Sequence, residues 1–333
     1  MKNMFSAGLL AGMMLAVGMS PALAQTTLKV SSYLPPNHTW QKALVQWGEE
    51  LKAKTGGEVS LEIYPAAQLG PVNRQFDLVK TGVADVAVIL HSATPGRFPV
   101  TELAGLPLSY PSAGQTSEIT SRRLTELAPQ YLAAEHAGTK ILWMAVTPPL
   151  KLHTTSVAVT SIDKVKGLRV RYAGKVFQQM LEAFGAAPLP VSPGETADSL
   201  SKGIIDATTF PYEATKSFNL GPIVKHSMEP GLASNSFALV MNQSVFDGLS
   251  EKSRKVIEET TGPQRAGDFG KMWDAGEAEG RAYMIENKVS IETLSDTELA
   301  RFKKALEPVN AAAIAQIDQS GKPGSAFVAA YTK

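Results

Sequence analysis

The sequence predicts an α/β fold of two lobes, and three observations carry that prediction. Short apolar or alternating runs recur between amphipathic helical stretches in a βαβαβ rhythm, which calls for mostly parallel sheets with helices on their faces. Of the 333 residues, 309 remain once a leader is set aside, enough for two domains that each bury a core of their own. One helical stretch, from about 264 to 287, is long enough at about 1.5 Å per residue to lie across both lobes.

The leader is residues 1–24. Met1-Lys2-Asn3 is a short positive segment, Phe5–Val17 is an apolar run too short to span a bilayer, and Ala22-Leu23-Ala24 is a small-residue cleavage signal. A signal peptide and an exported, unanchored protein are therefore expected. The leader holds one lysine and no acid, so the remainder carries 31 basic and 31 acidic side chains, and zero net charge argues against a nucleic-acid or anionic-membrane partner. Cysteine is absent, which excludes a disulfide framework, a thiolate metal site, a cysteine nucleophile and a lipidated N-terminal cysteine. The compartment expected from this combination is the periplasm of a Gram-negative bacterium, and no metal or cofactor is expected.

Leu28–Tyr33 reads as the first strand, stopped by Leu34-Pro35-Pro36-Asn37. Trp40, Leu44, Trp47 and Leu51 then fall at helical spacing, and Gly56-Gly57 ends the run. Val59–Tyr64 alternates as a strand, Arg74–Thr81 is a helix ended by Gly82, and Ala84–Leu90 is an apolar strand. A helix from Thr116 to about His136 and a strand from Lys140 to Val146, which includes Trp143, complete the first block. Thr147-Pro148-Pro149 is a breaker and the expected hinge.

In the second block, Lys151–Thr155, Leu168–Arg171, Gly185–Val191 and Ile204–Pro211 read as strands, with helices over Val176–Phe184 and Glu195–Gly203. Lys225–Pro230 is polar and reads as irregular, whereas Ser236–Asn242 is a strand placed to return to the first sheet. Ser250 caps a short helix, and the long helix follows with Trp273, Gly276, Gly280, Tyr283 and Met284 on one stripe. Leu299–Ile317 is a last helix, and a loose tail is expected from Gly321–Gly324 onward. The boundaries this implies are 25–148 with 237–275 for the first lobe and 149–236 with 276–333 for the second.

Candidate ligand groups come from the carboxyl ends of strands, where open α/β sheets bind small molecules. Tyr33 follows the first strand and His91 the third. Arg171 ends the strand in which Leu168 and Val170 face one way and Arg169 and Arg171 the other, just before the turn at Gly174. Its planar fork suits a ligand carboxylate held bidentately, although the stretch alone is read as readily as a surface arginine paired with Asp163 or Glu182. The five histidines show no metal-ligand spacing, and no G-x-S-x-G, P-loop or G-x-G-x-x-G motif is present. No catalytic residue is assigned, and a periplasmic α/β enzyme with His91 or His153 as base is the less favoured class.

The chain resembles the solute-binding proteins of TRAP transporters, the DctP-like family, over essentially its whole length after the leader. The resemblance rests on Glu62-Ile63-Tyr64-Pro65-Ala66-Ala67-Gln68-Leu69-Gly70, on Lys166-Gly167-Leu168-Arg169-Val170-Arg171, and on Gly203-Ile204-Ile205-Asp206-Ala207 followed by Pro211. It implies a type II-like periplasmic binding protein whose two lobes are joined by crossing strands and spanned by a long helix. It also implies a monomer that closes on an organic acid and serves a membrane permease. The carboxylate-binding arginine of the family matches Arg171, and Lys151 stands where a second basic residue often lies. Phe210 and His91 occupy positions that are polar or acidic in relatives using hydroxyl-rich acids. With Tyr33 and Tyr212 they imply an aromatic pocket for an apolar monocarboxylate, an α-hydroxy or α-keto acid included, with Glu213 either accepting from a ligand hydroxyl or balancing Lys151 or Arg171. The alternatives are a C4-dicarboxylate or sugar-acid receptor and an ABC-type amino-acid receptor.

Overall fold

The computed structural model describes residues 25–109 and 116–333, so the expected signal peptide lies outside the described residues. In the first lobe, β1 (Thr26–Ser31), β2 (Val59–Tyr64), β3 (Val86–Leu90), β4 (Thr139–Val146) and β10 (Ser236–Asn242) form one sheet in the order β2-β1-β3-β10-β4. In the second, β5 (Leu150–Thr154), β6 (Arg169–Tyr172), β7 (Ala187–Pro190), β8 (Ala207–Phe210), β9 (His226–Ala233) and β11 (Ser290–Thr293) run β11-β9-β5-β8-β6-β7. The helices are α1 (Thr39–Thr55), α2 (Gln75–Lys80), α3 (Ser117–Tyr131), α4 (Lys175–Ala183), α5 (Thr196–Ser201), α6 (Tyr212–Ser217), α7 (Gln243–Gly248), α8 (Glu251–Glu259), α9 (Pro263–Glu286), α10 (Asp296–Gln319) and α11 (Gly324–Tyr331).

Local sequence explains the elements that place the cleft. Helix α1 starts at His38, whose ring accepts from the Trp40 amide, and stops at Gly56, which takes the left-handed conformation at φ +70. Its apolar stripe is fully buried, and Trp40 stacks on Trp143 at 5.7 Å between ring centroids. Trp143 is therefore core beneath the first sheet. All five residues of β3 are buried, as a central strand with helices on both faces requires.

Two antiparallel connections run through both sheets. β4 continues past Thr147 into β5, and β9 continues past Asn235 into β10, which lies antiparallel to both β3 and β4. At the crossing the Thr147 amide donates to the Asn235 carbonyl at 2.9 Å, and the Asn235 amide donates to Thr147 Oγ1 at 3.0 Å. The two connections are thus tied together where the lobes meet.

Helix α9, 24 residues long, packs on α3 of the first lobe and α6 of the second. Its glycines permit this. A Cβ at Gly270 would come within 2.5 Å of the Glu118 backbone, and one at Gly280 would collide with the Tyr212 carbonyl. Gly280→Ala is expected to push α9 off α6 and cost about 1–3 kcal/mol of stability. A urea midpoint equal to that of the wild type would mean that α6 yields without cost.

Three expectations change. From His226 onward the Lys225–Pro230 stretch is not irregular but belongs to β9, because its backbone pairs with β5 and β11 even though its side chains do not alternate. The tail is not loose, since α11 buries Phe327 and Tyr331 against α3 and the layer around Leu124 and Ala128. Residues 313–331 consequently pack on the first lobe, whereas β11 and the start of α10, with Phe302 and Leu306, pack on the second. The chain returns across the cleft because the apolar face of α11 finds its cover there.

Candidate functional site

The carboxyl ends of β3, β6 and β8 and the segment after β1 open into the cleft between the lobes, around a partly open cavity. Tyr33 and Leu90 line it from the first lobe, Arg171 and Phe210 from the second, and Thr147 and Asn235 from the crossing. His38, Phe218, Phe237 and Trp273 complete a largely aromatic wall.

Arg171 is the charged group of this cavity. It is 2 % exposed, and among the described residues no carboxylate pairs with it. Its Nε donates to the Val191 carbonyl at 3.0 Å and one terminal nitrogen to the Thr209 carbonyl at 3.4 Å, with the guanidinium 4.4 Å above the Phe210 ring. Those bonds fix the plane of the fork and leave N–H groups for a partner. Burial pushes its pKa down to about 10, against the pull of nearby Tyr33, so the group stays cationic at neutral pH. The surface pairings considered for it do not form: Asp163 pairs with Arg301, and Glu182 accepts from Gln178. Arg169, two residues earlier on the same strand face, reaches solvent and pairs with Asp206 instead.

Tyr33 and Phe210 also line the cavity. Burial raises the Tyr33 phenol above its ordinary range, Arg171 opposing and Glu213 adding, so it remains a neutral hydroxyl. Phe210 stacks on Phe218 at 5.5 Å and forms one wall.

Four other expected site residues do not line this cavity. Lys151 is turned into an ion pair with Glu277 and sits 4.9 Å over the Tyr212 ring. Tyr212 is 1 % exposed and donates to Glu229 at 2.9 Å. Glu213 accepts from the Thr39 amide and hydroxyl, from Ser217 and from the Trp273 indole, and faces His38 Nε2 at 3.3 Å. It therefore joins α6 to α1 and α9 and supports the wall from behind. Burial pushes its carboxyl up, but His38 and the bonds from Ser217 and Thr39 outweigh that and hold it below the ordinary range. His91 turns away into the first lobe, where Nδ1 meets Ser236 Oγ at 2.9 Å and Nε2 meets His136 Nε2 at 3.0 Å.

The polarity of that relay follows from its far end. His136 Nδ1 faces the Leu132 carbonyl at 2.9 Å and must carry a hydrogen, so its Nε2 accepts from His91 Nε2–H and His91 Nδ1 accepts from the Ser236 hydroxyl. His153, the other base considered, has both nitrogens engaged by Ser227 and the Phe210 carbonyl, and burial lowers its pKa to about 3.

Sequence reasoning passed over His38, Phe218 and Phe237 as wall residues and placed Trp273 only on a helical stripe. A signal existed for His38 alone, which directly precedes a helix. One buried cation, a neutral phenol and apolar walls, drawn from elements of both lobes, suit an organic anion.

The comparisons agree with this geometry. A model of the family described as bacterial extracellular solute-binding protein, family 7 (DctP), matches residues 30–316. A marine-metagenome TRAP solute-binding protein, specific for aromatic acid ligands and solved with metahydroxyphenylacetate, superposes with a TM-score of 0.88 at 31 % identity, covering 92 % of this chain and 98 % of that one. A Rhodoferax ferrireducens TRAP solute-binding protein holding copurified benzoate gives 0.88 at 28 % identity over 92 % and 97 %. One from Bordetella bronchiseptica with bound (R)- and (S)-mandelate gives 0.85 at 29 % over 92 % and 98 %. With the family pattern running through nearly the whole described chain and the two lobes meeting over a buried arginine, this protein belongs to the DctP family of extracellular solute-binding proteins and is a TRAP transporter receptor.

Proposed function

We propose that the protein captures an aromatic or otherwise apolar monocarboxylate, α-hydroxy and α-keto acids included, between its lobes in the periplasm. It acts as a monomer and passes the acid unchanged to its permease. The observation that carries this is Arg171, a buried guanidinium without a carboxylate partner, facing walls built from Tyr33, Phe210, Phe218, Phe237 and Trp273. A ligand carboxylate supplies the missing counter-charge, and the rest of the ligand gains about 25 cal/mol per Å² of apolar surface removed from water. The similar structures, which hold metahydroxyphenylacetate, benzoate and mandelate, support the same class.

Other acids fit less well. Arg171 is the one cation lining the cavity among the described residues, because Lys151 is engaged by Glu277, so a C4-dicarboxylate would bury its second charge unpaired. A sugar acid would leave hydroxyls against rings at about 1–3 kcal/mol each.

A thermal-shift panel of benzoate, mandelate, phenylpyruvate, succinate, lactate and galacturonate tests the ranking. Aromatic acids should give the largest shifts and galacturonate the smallest, and mass spectrometry should recover the bound acid unaltered. Larger shifts with galacturonate or succinate would remove the aromatic reading, and a converted acid would remove the non-enzymatic one.

A further inference from the structure

A second, smaller chamber lies in the same cleft and meets the aromatic cavity at Asn235, which lines both. Val176 and Phe177 give it apolar surface, beside which several polar groups stand. Ser92 and Glu102 come from the first lobe, Gly174 at the amino end of α4 from the second, and Ser234 and Ser236 from the crossing. Gly174 keeps it open: it sits at φ +91, and a Cβ there would come within 2.5 Å of Ser92 Cβ and 3.4 Å of Glu102 Oε2.

Two of the chamber's polar side chains, Ser234 and Glu102, have no partner among the described residues. Ser234 is 3 % exposed, and its hydroxyl has no hydrogen-bond partner. The part-buried Glu102 side chain makes neither a hydrogen bond nor an ion pair among the described residues. Ser236 spends its hydrogen on His91, which leaves its oxygen to accept. Ser92 donates to Asn235 Oδ1 at 3.1 Å, which leaves the Asn235 side-chain amide hydrogens for another acceptor. A buried hydroxyl is normally paired, so the unpaired Ser234 hydroxyl, in the same lining as the unengaged Glu102 carboxyl, marks a place for a ligand group.

Resting on the function proposed above, we infer that this chamber is the subsite for a hydroxyl carried by the ligand on the side away from its carboxylate, which makes the ligand a hydroxylated aromatic acid. A hydroxyl both donates and accepts, matching a carboxyl and two serine oxygens. Burial, with Glu135 adding and Lys175 opposing, pushes the Glu102 pKa up to about 8. A neutral carboxyl suits a hydroxyl and gives an ammonium group no counter-charge.

Calorimetry on the full mature chain with benzoate and the three hydroxybenzoates tests this. The best hydroxybenzoate should bind about tenfold more tightly than benzoate. In Glu102→Leu and in Ser234→Ala that ratio should fall toward one, whereas Glu102→Gln, which keeps an acceptor, should retain most of it. A ratio of one in the wild type, or one unmoved by either Glu102→Leu or Ser234→Ala, overturns the subsite while benzoate binding leaves the carboxylate reading standing. Absence of binding of all four acids by the wild type overturns both.

Discussion

Arg171→Ala is expected to abolish tight ligand binding while the protein stays folded. In the wild type the guanidinium is held in plane by the Val191 and Thr209 carbonyls and stacked on Phe210, so it presents its remaining donors to the cavity with little freedom left to lose. Without it a ligand carboxylate would be buried against aromatic rings with no counter-charge. Truncating one partner of such a pair costs on the order of 2–5 kcal/mol, roughly 30- to several-thousand-fold in affinity. Stability of the unliganded protein should change little, because the cation removed was itself desolvated and had no carboxylate partner. Calorimetry with the best ligand and a melting curve without it check both halves. Wild-type affinity in the variant would end the assignment of Arg171, and loss of folding would make it a structural residue.

The second large effect concerns acid. His38, His91, His136 and His153 are all buried, and burial lowers each pKa, to about 4 for His136 and about 3 for His153. A histidine whose folded pKa is depressed stays neutral in the fold while the unfolded chain takes up a proton near pH 6.5, so its contribution is present above that pH and lost as pH falls toward the folded value. Between pH 7.5 and 5, His136 and His153 should each cost on the order of 1–2 kcal/mol, and His38 and His91 add in the same direction. Glu102 works against them, since its raised pKa makes the folded state hold a proton that the unfolded chain releases, and Glu135 and Asp274 share its sign. With four histidines outweighing these carboxyls, the net loss should be on the order of 2 kcal/mol, a large share of a typical domain's stability. Urea unfolding at the two pH values measures it, and equal midpoints would show that the histidines are not the neutral groups their surroundings make them.

The legible part of this protein was whatever local periodicity and backbone chemistry dictate. The α1 stripe from Trp40 to Leu51, its stop at Gly56, the strands ending near Leu90, Arg171 and Phe210, and the long glycine-bearing helix α9 all follow from spacing and from residues that cap or break elements. Arg171 stood out for the same reason, as the last charged residue of a strand whose carboxyl end opens on the cleft. The neighbour that each side chain meets was set by tertiary packing instead. Alternation assigns a face but not a partner, so Lys151 goes to Glu277, Glu213 to Thr39 and Trp273, and His91 to Ser236 and His136, none of them reaching the aromatic cavity. His38, Phe218, Phe237 and Trp273 meet around that cavity from four separate segments, and α11 is held by Phe327 and Tyr331 packing against the first lobe. Such contacts between distant parts of the chain depend on how the lobes pack, and no local pattern encodes them.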